Sequence, residues 1–496
     1  MPIRFGTDGW RAVIGDEFTF ANVRHVAQAL ADYVVECQTP TNRKEPGRPD
    51  CPPVVIGYDT RFLSDRFAAQ VARVLAGNGI SVYVSQSDCP TPALSFSVKA
   101  MGAAAGVMIT ASHNPPRYNG IKVKSTSGGA ATSDETHQIE ALLSRNIREG
   151  VEASEASWRL ENGELADDQP SWGSITRFDP LPPYLEHLRT LVDFPAIARA
   201  GIRVVTDPMY GAGRGYVRRF LDELGCDVKE IRGELNPGFG GIHPEPIAQN
   251  LAKLSETIVQ GQYDIGLATD GDADRIGAVD ARGDFVDPHR IFSLALRHLV
   301  ELRGWRGAVV KTVSTTQLVN RLAERYDLPL FETPVGFNHI GDLMLKEDVL
   351  IGGEESGGIT IKGHIPEGDG LLMGMLLLEI MAAARKPLHV ITEELMDDVG
   401  HFYYHRRDRK IGALRGSELL RALMSHVPEE LAGVRVVRVD NSDGIKYKLA
   451  DGSWLLLRPS GTEPVLRIYS EATRPDLVDQ LLDAGERMSG TPGASP

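Results

Sequence analysis

Four short apolar runs recur along this chain, PVVIGYDT (Pro53 to Thr60), GIRVVTD (Gly201 to Asp207), YDIGLATD (Tyr263 to Asp270) and GAVVKT (Gly307 to Thr312). Segments with helical patterning separate them. A strand that is apolar without alternation is buried on both faces, and such strands belong to sheets covered by helices. The helical period is clear in YLEHLRTLV, where Tyr184, Leu185, Leu188, Leu191 and Val192 share one face. The expected fold class is therefore α/β, with largely parallel sheets. A chain of 496 residues sets a prior of three or four domains.

Punctuation places the boundaries. We expect α/β domains over 1–165, 175–287 and 288–395, an α+β domain over 396–488, and a disordered tail over 489–496. Pro-rich Gln38 to Pro53 reads as an excursion within the first domain, and the weakly patterned stretch from Glu152 to Pro183 as a connector. No repeat at a short fixed period is visible.

A formal net charge of −14 argues against nucleic acid as the main partner, because phosphate backbones need a basic footprint. It leaves room for a small phosphorylated ligand held by local arginines. The longest greasy run, LLMGMLLLEIMAAA from Leu371, is interrupted by Glu379 and reads as a buried helix rather than a membrane span. Four scattered cysteines without metal spacing, and an opening MPIRFGTDGW without an apolar h-region, fit a cytoplasmic protein.

Polar loops follow the strands. In DGDADR, Asp270, Asp272 and Asp274 alternate with small residues after IGLAT, so three carboxylates can converge as hard divalent cations require. An EF-hand is excluded, since its glycine position falls on Arg275 and its glutamate position on Ala281. RPSGTEP offers the hydroxyls of Ser460 and Thr462, the amides around Gly461 and the fork of Arg458, a set suited to phosphate. GGEESGG places two acids and a serine among four glycines, which suits sugar hydroxyls. FGTDGWR adds Arg11, either a phosphate ligand or a solvated arginine, and NGIKVKS adds Lys122 and Lys124, either acid/base or charge-neutralising groups or plain surface lysines.

In TASHNP, Ser112 falls just past the carboxyl end of a strand, where open α/β sheets place ligands. It lacks the flanking glycines of a nucleophile elbow. A serine without a triad becomes potent when it carries a phosphoryl group, which would also be a metal ligand.

These five motifs, in this order, resemble the α-D-phosphohexomutase family, which includes phosphoglucomutase, phosphomannomutase and phosphoglucosamine mutase. The resemblance spans the chain. It implies three doubly wound α/β domains of phosphohexomutase type and a more mobile C-terminal α+β domain around a central cleft. By the same resemblance Ser112 is the phosphorylated residue, and it completes a Mg2+ site with Asp270, Asp272 and Asp274. Arg275 lies beside the transferring phosphate, and Arg11, His113, Lys122 and Lys311 line that centre. Glu354 and Ser356 read the sugar hydroxyls, while Arg458, Ser460, Gly461 and Thr462 grip the non-reacting phosphate.

The implied reaction interconverts hexose 1- and 6-phosphates through glucose 1,6-bisphosphate, which is both intermediate and activator. His113 and Lys122 are the candidate bases. Glucose phosphate is the expected substrate, with mannose phosphate as the alternative. Glucosamine phosphate is disfavoured, because that branch typically has glutamine where this chain has Glu355. Some members also carry a histidine in place of Gly358, and Phe337 and Asn338 differ from the mannomutase-like pattern. A phosphatase of the haloacid dehalogenase type would expect threonine where Asp274 stands, and would leave Ser112 without a role. A non-catalytic phosphosugar-binding protein would have no need of the intact serine, aspartates and phosphate loop. Oligomeric state is open.

Overall fold

The computed structural model describes residues 3–6, 9–38, 52–158, 173–410, 415–460 and 465–490. Most of the Pro-rich excursion, part of the connector, Gly461, Thr462 and residues 491–496 of the expected tail therefore lie outside the described residues.

Three sheets repeat one topology. In the first, strand Val54–Tyr58, helix Ser64–Gly77, strand Val82–Ser85, helix Thr91–Ala100 and strand Ala105–Ile109 are followed by a hairpin return, Tyr118–Lys124. The second unit repeats this with strands Val204–Asp207, Val228–Glu230, Ile265–Thr269 and Ile276–Asp280. The third uses Ala308–Thr312, Leu330–Thr333, Val349–Gly353 and Ile359–Ile361. In each, the four strands lie in the spatial order fourth, third, first, second. Unequal insertions separate the units, so no fixed sequence period announces them.

The sheets are mixed rather than parallel throughout. The first three strands of each unit run parallel, and the fourth pairs antiparallel with the third. The loop between third and fourth strands is in turn TASHNP, DGDADR and GGEESGG. Parallel strands need long crossovers, whereas a hairpin brings the chain straight back. Each motif is thus a short loop pinned by backbone pairing on both sides.

A second difference concerns the first domain boundary. Strand Ile175–Phe178 pairs in parallel with Val82–Ser85 and so completes the first sheet, not the second. Its residues are at most half-buried, and the sequence carries no apolar run to mark it. The C-terminal sheet is wholly antiparallel, in the spatial order Tyr403–Lys410, Val465–Ala472, Trp454–Pro459, Ile445–Leu449, Val434–Asp440 and Glu430–Leu431. RPSGTEP runs from Trp454–Pro459 to Val465–Ala472.

The second and third units share one hydrophobic core, threaded by helix Gly370–Ala384, which is apolar on nearly every side. Glu379 is accommodated in it because His298 (2.7 Å), Arg303 and the Asp193 amide (2.8 Å) satisfy its carboxylate. The first unit and the C-terminal domain have cores of their own. The C-terminal domain seats on the third unit through Val313, Trp454, Leu456 and Tyr469. Among the described residues, no helix is long and apolar enough to cross a membrane.

Candidate active site

Ser112 is buried and holds a left-handed backbone, φ 51°, an uncommon conformation for a residue with a Cβ. Arg61 supplies the constraint. Its guanidinium donates to the carbonyls of Ser112 (2.5 Å), Asn114 (2.7 Å), Pro115 (2.9 Å) and Tyr118 (3.1 Å), and so wraps the loop around itself. Asp59 in turn receives the Arg61 side chain (3.1 Å) together with the hydroxyls of Ser64 (2.8 Å) and Thr110 (2.7 Å). Sequence reading overlooked this pair. The signal was an Asp-Thr-Arg triplet ending an otherwise apolar strand.

The metal loop meets the serine loop at a distance only glycine permits. A Cβ on Gly271 would fall 2.4 Å from the Ser112 carbonyl oxygen. Ser112 Oγ donates to Asp270 Oδ2 at 2.9 Å. Asp270, Asp272 and Asp274 are buried, with carboxylate oxygens within 4.8 Å of one another. Lys122 Nζ lies 2.9 Å from Asp272 and 2.7 Å from Asp274, and Thr91 donates to Asp272 at 2.6 Å. Nothing in the sequence around Thr91 marks that role.

Burial, followed by the neighbouring Asp274 and Asp272, raises the Asp270 pKa well above the usual carboxylate range. Burial also works against ionised Asp272, but Lys122 and the Thr91 hydroxyl outweigh it and lower that pKa. Asp272 Oδ1 and Asp274 Oδ1 are buried without a hydrogen-bond partner. Three converging carboxylates with unpartnered oxygens are the donor set a hard divalent cation takes, so these residues fit magnesium.

Other expected residues converge here. Arg11 Nη1 donates to Asn114 Oδ1 at 2.8 Å, on the serine loop. The Arg275 amide donates to Asp270 (3.2 Å), and its side chain approaches Asp274 at 3.8 Å. His113 Nδ1 is 3.4 Å from Ser112 Oγ. Burial, then Arg275, Arg11, Arg467 and Arg406, holds its pKa well below the ordinary value, so the ring is neutral. Glu354 accepts from the Gly336 amide at 2.8 Å, with Ser356 Oγ at 3.4 Å. Burial and the adjacent Glu355 push the Glu354 pKa up to about 7, against the pull of Arg275.

Lysine 311 does not join them. Lys311 is fully buried, donates to the carbonyls of Thr315 (2.8 Å) and Thr316 (2.9 Å), and lies 3.6 Å from Glu332. Its strand direction turns the side chain under the loop after Thr312, so it supports the seat of the C-terminal domain. Lys124 likewise forms a buried ion pair with Glu367, bridging the first unit to the third.

On the C-terminal sheet, Arg458 Nε donates to Asp443 Oδ2 at 2.6 Å, and Ser460 closes the loop through its amide to Val465 (2.7 Å). Arg467 stands directly opposite Arg458 in the strand pairing, and Arg406 lies one strand further out. Neither Arg406 nor Arg467 was picked out in the sequence, where each sits unmarked in a strand. With Arg458 they make this sheet a cationic wall.

Phosphoglucomutase/phosphomannomutase models match the chain in order: alpha/beta/alpha domain I over residues 2–149, domain II over 182–283, domain III over 287–399 and the C-terminal domain over 420–486. A phosphoglucomutase/phosphomannomutase of Thermococcus kodakarensis is 31% identical over 484 residues, covering 98% of each chain. A phosphoglucosamine mutase of Heliobacterium modesticaldum is 31% identical over 496 residues, covering 97% of each. A crystal structure from Thermus thermophilus, provisionally named phosphomannomutase, superposes with a TM-score of 0.83 at 36% identity, over 99% of this chain and 100% of that one.

Proposed function

Because the chain belongs to the phosphoglucomutase/phosphomannomutase family of isomerases, we propose that it interconverts α-D-glucose 1-phosphate and glucose 6-phosphate through a phosphoserine at Ser112. The observation that carries this reading is the hydrogen bond from Ser112 Oγ to Asp270, at the edge of a carboxylate triplet that fits a divalent cation.

The 6-hydroxyl of glucose 1-phosphate attacks the phosphorus on Ser112, the P–Oγ bond breaks, and glucose 1,6-bisphosphate forms. His113, whose Nδ1 is 3.4 Å from Ser112 Oγ, or Lys122 takes the hydroxyl proton. The bisphosphate turns over within the cleft, the serine oxygen attacks its 1-phosphoryl group, and glucose 6-phosphate leaves. Arg275 and Arg11 stabilise charge on the transferring group. Asp270, Asp272 and Asp274 would hold magnesium, which when bound supplies Lewis-acid charge stabilisation at that group. Glu354 and Ser356 accept and donate to sugar hydroxyls. Arg458 and Ser460, with Gly461 and Thr462 outside the described residues, hold whichever phosphate is not reacting. Groups that bind phosphate alone suit both sugar orientations.

The family resemblance supports glucose over glucosamine, since Glu355 stands where the glucosamine branch typically has glutamine. A coupled assay for glucose 6-phosphate, with magnesium and trace glucose 1,6-bisphosphate, tests the reading. Mannose 1-phosphate, glucosamine 1-phosphate and Ser112→Ala run in parallel. Turnover that collapses in Ser112→Ala, highest on glucose, is the expected result. Unchanged turnover in the variant would remove the phosphoserine, and higher turnover on another sugar would reassign the substrate.

A further inference from the structure

One carboxylate connects the expected phosphate loop to the expected sugar loop. Asp443, in the turn between strands Val434–Asp440 and Ile445–Leu449, accepts at Oδ2 from Arg458 Nε (2.6 Å) and from the Val335 amide (2.9 Å). Arg458 belongs to the C-terminal sheet, and Val335 to the turn before helix Phe337–Met344 of the third unit. The next amide, Gly336 N, donates to Glu354 Oε1 at 2.8 Å. Two consecutive peptide N–H groups are therefore divided between Asp443 of the C-terminal domain and Glu354 of the third unit.

The connecting peptide is held on both sides by hydrogen bonds. Gly336 holds φ 139°, in the region that favours glycine. Pro334 precedes Val335 and fixes its own φ. Val335 packs against the Trp454 and Tyr469 seam on which the C-terminal domain sits. The Glu354 amide is held by the Gly358 carbonyl (2.9 Å), so the far end of the connection is anchored within its own loop. A shift of Asp443 with the C-terminal domain would act on the same peptide whose next N–H is held by Glu354.

We propose that Asp443 is a positioning residue that orients Arg458 toward the non-reacting phosphate and, through the Val335–Gly336 peptide, sets Glu354 for the sugar, so that phosphate grip and sugar reading are coupled. With Nε committed to Asp443, the Nη edge of Arg458 is the one presented to a ligand. This rests on the phosphohexomutase reading above.

The test uses the full-length Ser112→Ala protein, which binds without turning over, and compares it with Ser112→Ala/Asp443→Asn. Calorimetry gives the affinity for glucose 6-phosphate and for glycerol 3-phosphate, a phosphate ester without the sugar ring. In Asp443→Asn an amide replaces the shared acceptor and loses the charge-assisted bond. Affinity for glucose 6-phosphate is expected to fall about tenfold or more, and affinity for glycerol 3-phosphate by a smaller factor, narrowing the ratio between them. Adding Glu354→Gln should give no further narrowing, since both changes act on one unit. Equal falls for both ligands, or an unchanged ratio, would overturn the coupling. If Asp443→Asn does not fold, Asp443→Glu, which keeps the charge but displaces it, is read by the same ratio. A parent that binds neither ligand sinks the phosphosugar reading and this inference together. A parent that prefers the sugar phosphate, with that preference intact in the variant, sinks the inference alone.

Discussion

Ser112 Oγ donates to Asp270 Oδ2 across 158 residues of sequence, so the expected phosphoryl carrier and the expected metal loop are in direct contact. Three buried carboxylates beside that serine repel one another, and a cation relieves the repulsion. Stripping divalent ions with EDTA should therefore abolish transfer, and magnesium should restore it. The melting temperature should climb with magnesium, since ligand at a hundred times its Kd adds about 2.7 kcal/mol. Asp272→Asn should move that titration to higher magnesium. A melting temperature indifferent to magnesium would count against the site.

Arg61 and Asp59 form a fully buried pair beneath the serine loop. Arg61→Ala would strand a buried carboxylate and release four loop carbonyls. The expected loss is about 3–5 kcal/mol in a urea titration, with turnover falling further than stability because Ser112 loses its left-handed turn. Arg61→Lys should rescue little, because one ammonium cannot serve four carbonyls in the plane of a guanidinium. Full rescue by lysine would mean that charge alone matters there.

Glu354 carries a pKa of about 7 in the folded protein, through burial and Glu355. A carboxyl raised in the folded state binds its proton there and not in the unfolded chain, so its contribution to stability is present below the ordinary carboxylate range. That contribution is lost as pH rises through about 7. Ligand recognition runs the other way, because only the ionised form accepts two hydroxyl hydrogens. Affinity for glucose 6-phosphate in Ser112→Ala should rise between pH 6 and 8 beyond what ligand ionisation gives. Glu354→Gln should remove that excess. Identical pH curves for the two proteins would contradict it.

Lys446, on strand Ile445–Leu449 of the C-terminal sheet, donates to the Val313 carbonyl of the third unit, with its side-chain nitrogen over the Trp454 ring at 4.4 Å. Burial, then Lys311, lowers its pKa from 10.5 to about 7, although Glu332 pulls the other way. Between those values the unfolded chain holds a proton that the folded one has shed. This group therefore makes stability rise with pH from about 7 upward. Lys446→Met should flatten that rise in urea midpoints measured from pH 7 to 10. A slope unchanged by the substitution would show that other groups set it.

Much of this protein was legible without coordinates. The buried strands, the helix through Glu379 and the loops TASHNP, DGDADR and GGEESGG follow from apolar runs and from polar residues placed where strands end. Local patterning reports on local structure, and a run such as IGLATD can hardly be anything but a covered strand meeting a ligand loop. Lys311 shows the boundary of that logic. Its neighbours in sequence predict the strand correctly, but which face the side chain takes depends on Glu332 and Lys446, 21 and 135 positions away. Asp443 was invisible for the same reason, an ordinary charged residue in a turn until its partners are known.

Class of fold and chemical inventory follow from the order of residues, because burial period and loop composition are written in consecutive positions. Three-dimensional packing was needed to reveal that a hairpin return pins each of the three α/β loops, that Ile175–Phe178 belongs to the first sheet, and that Ser112 touches Asp270. The last two are contacts between residues scores of positions apart. Their energies depend on distance in space, which no window along the chain contains.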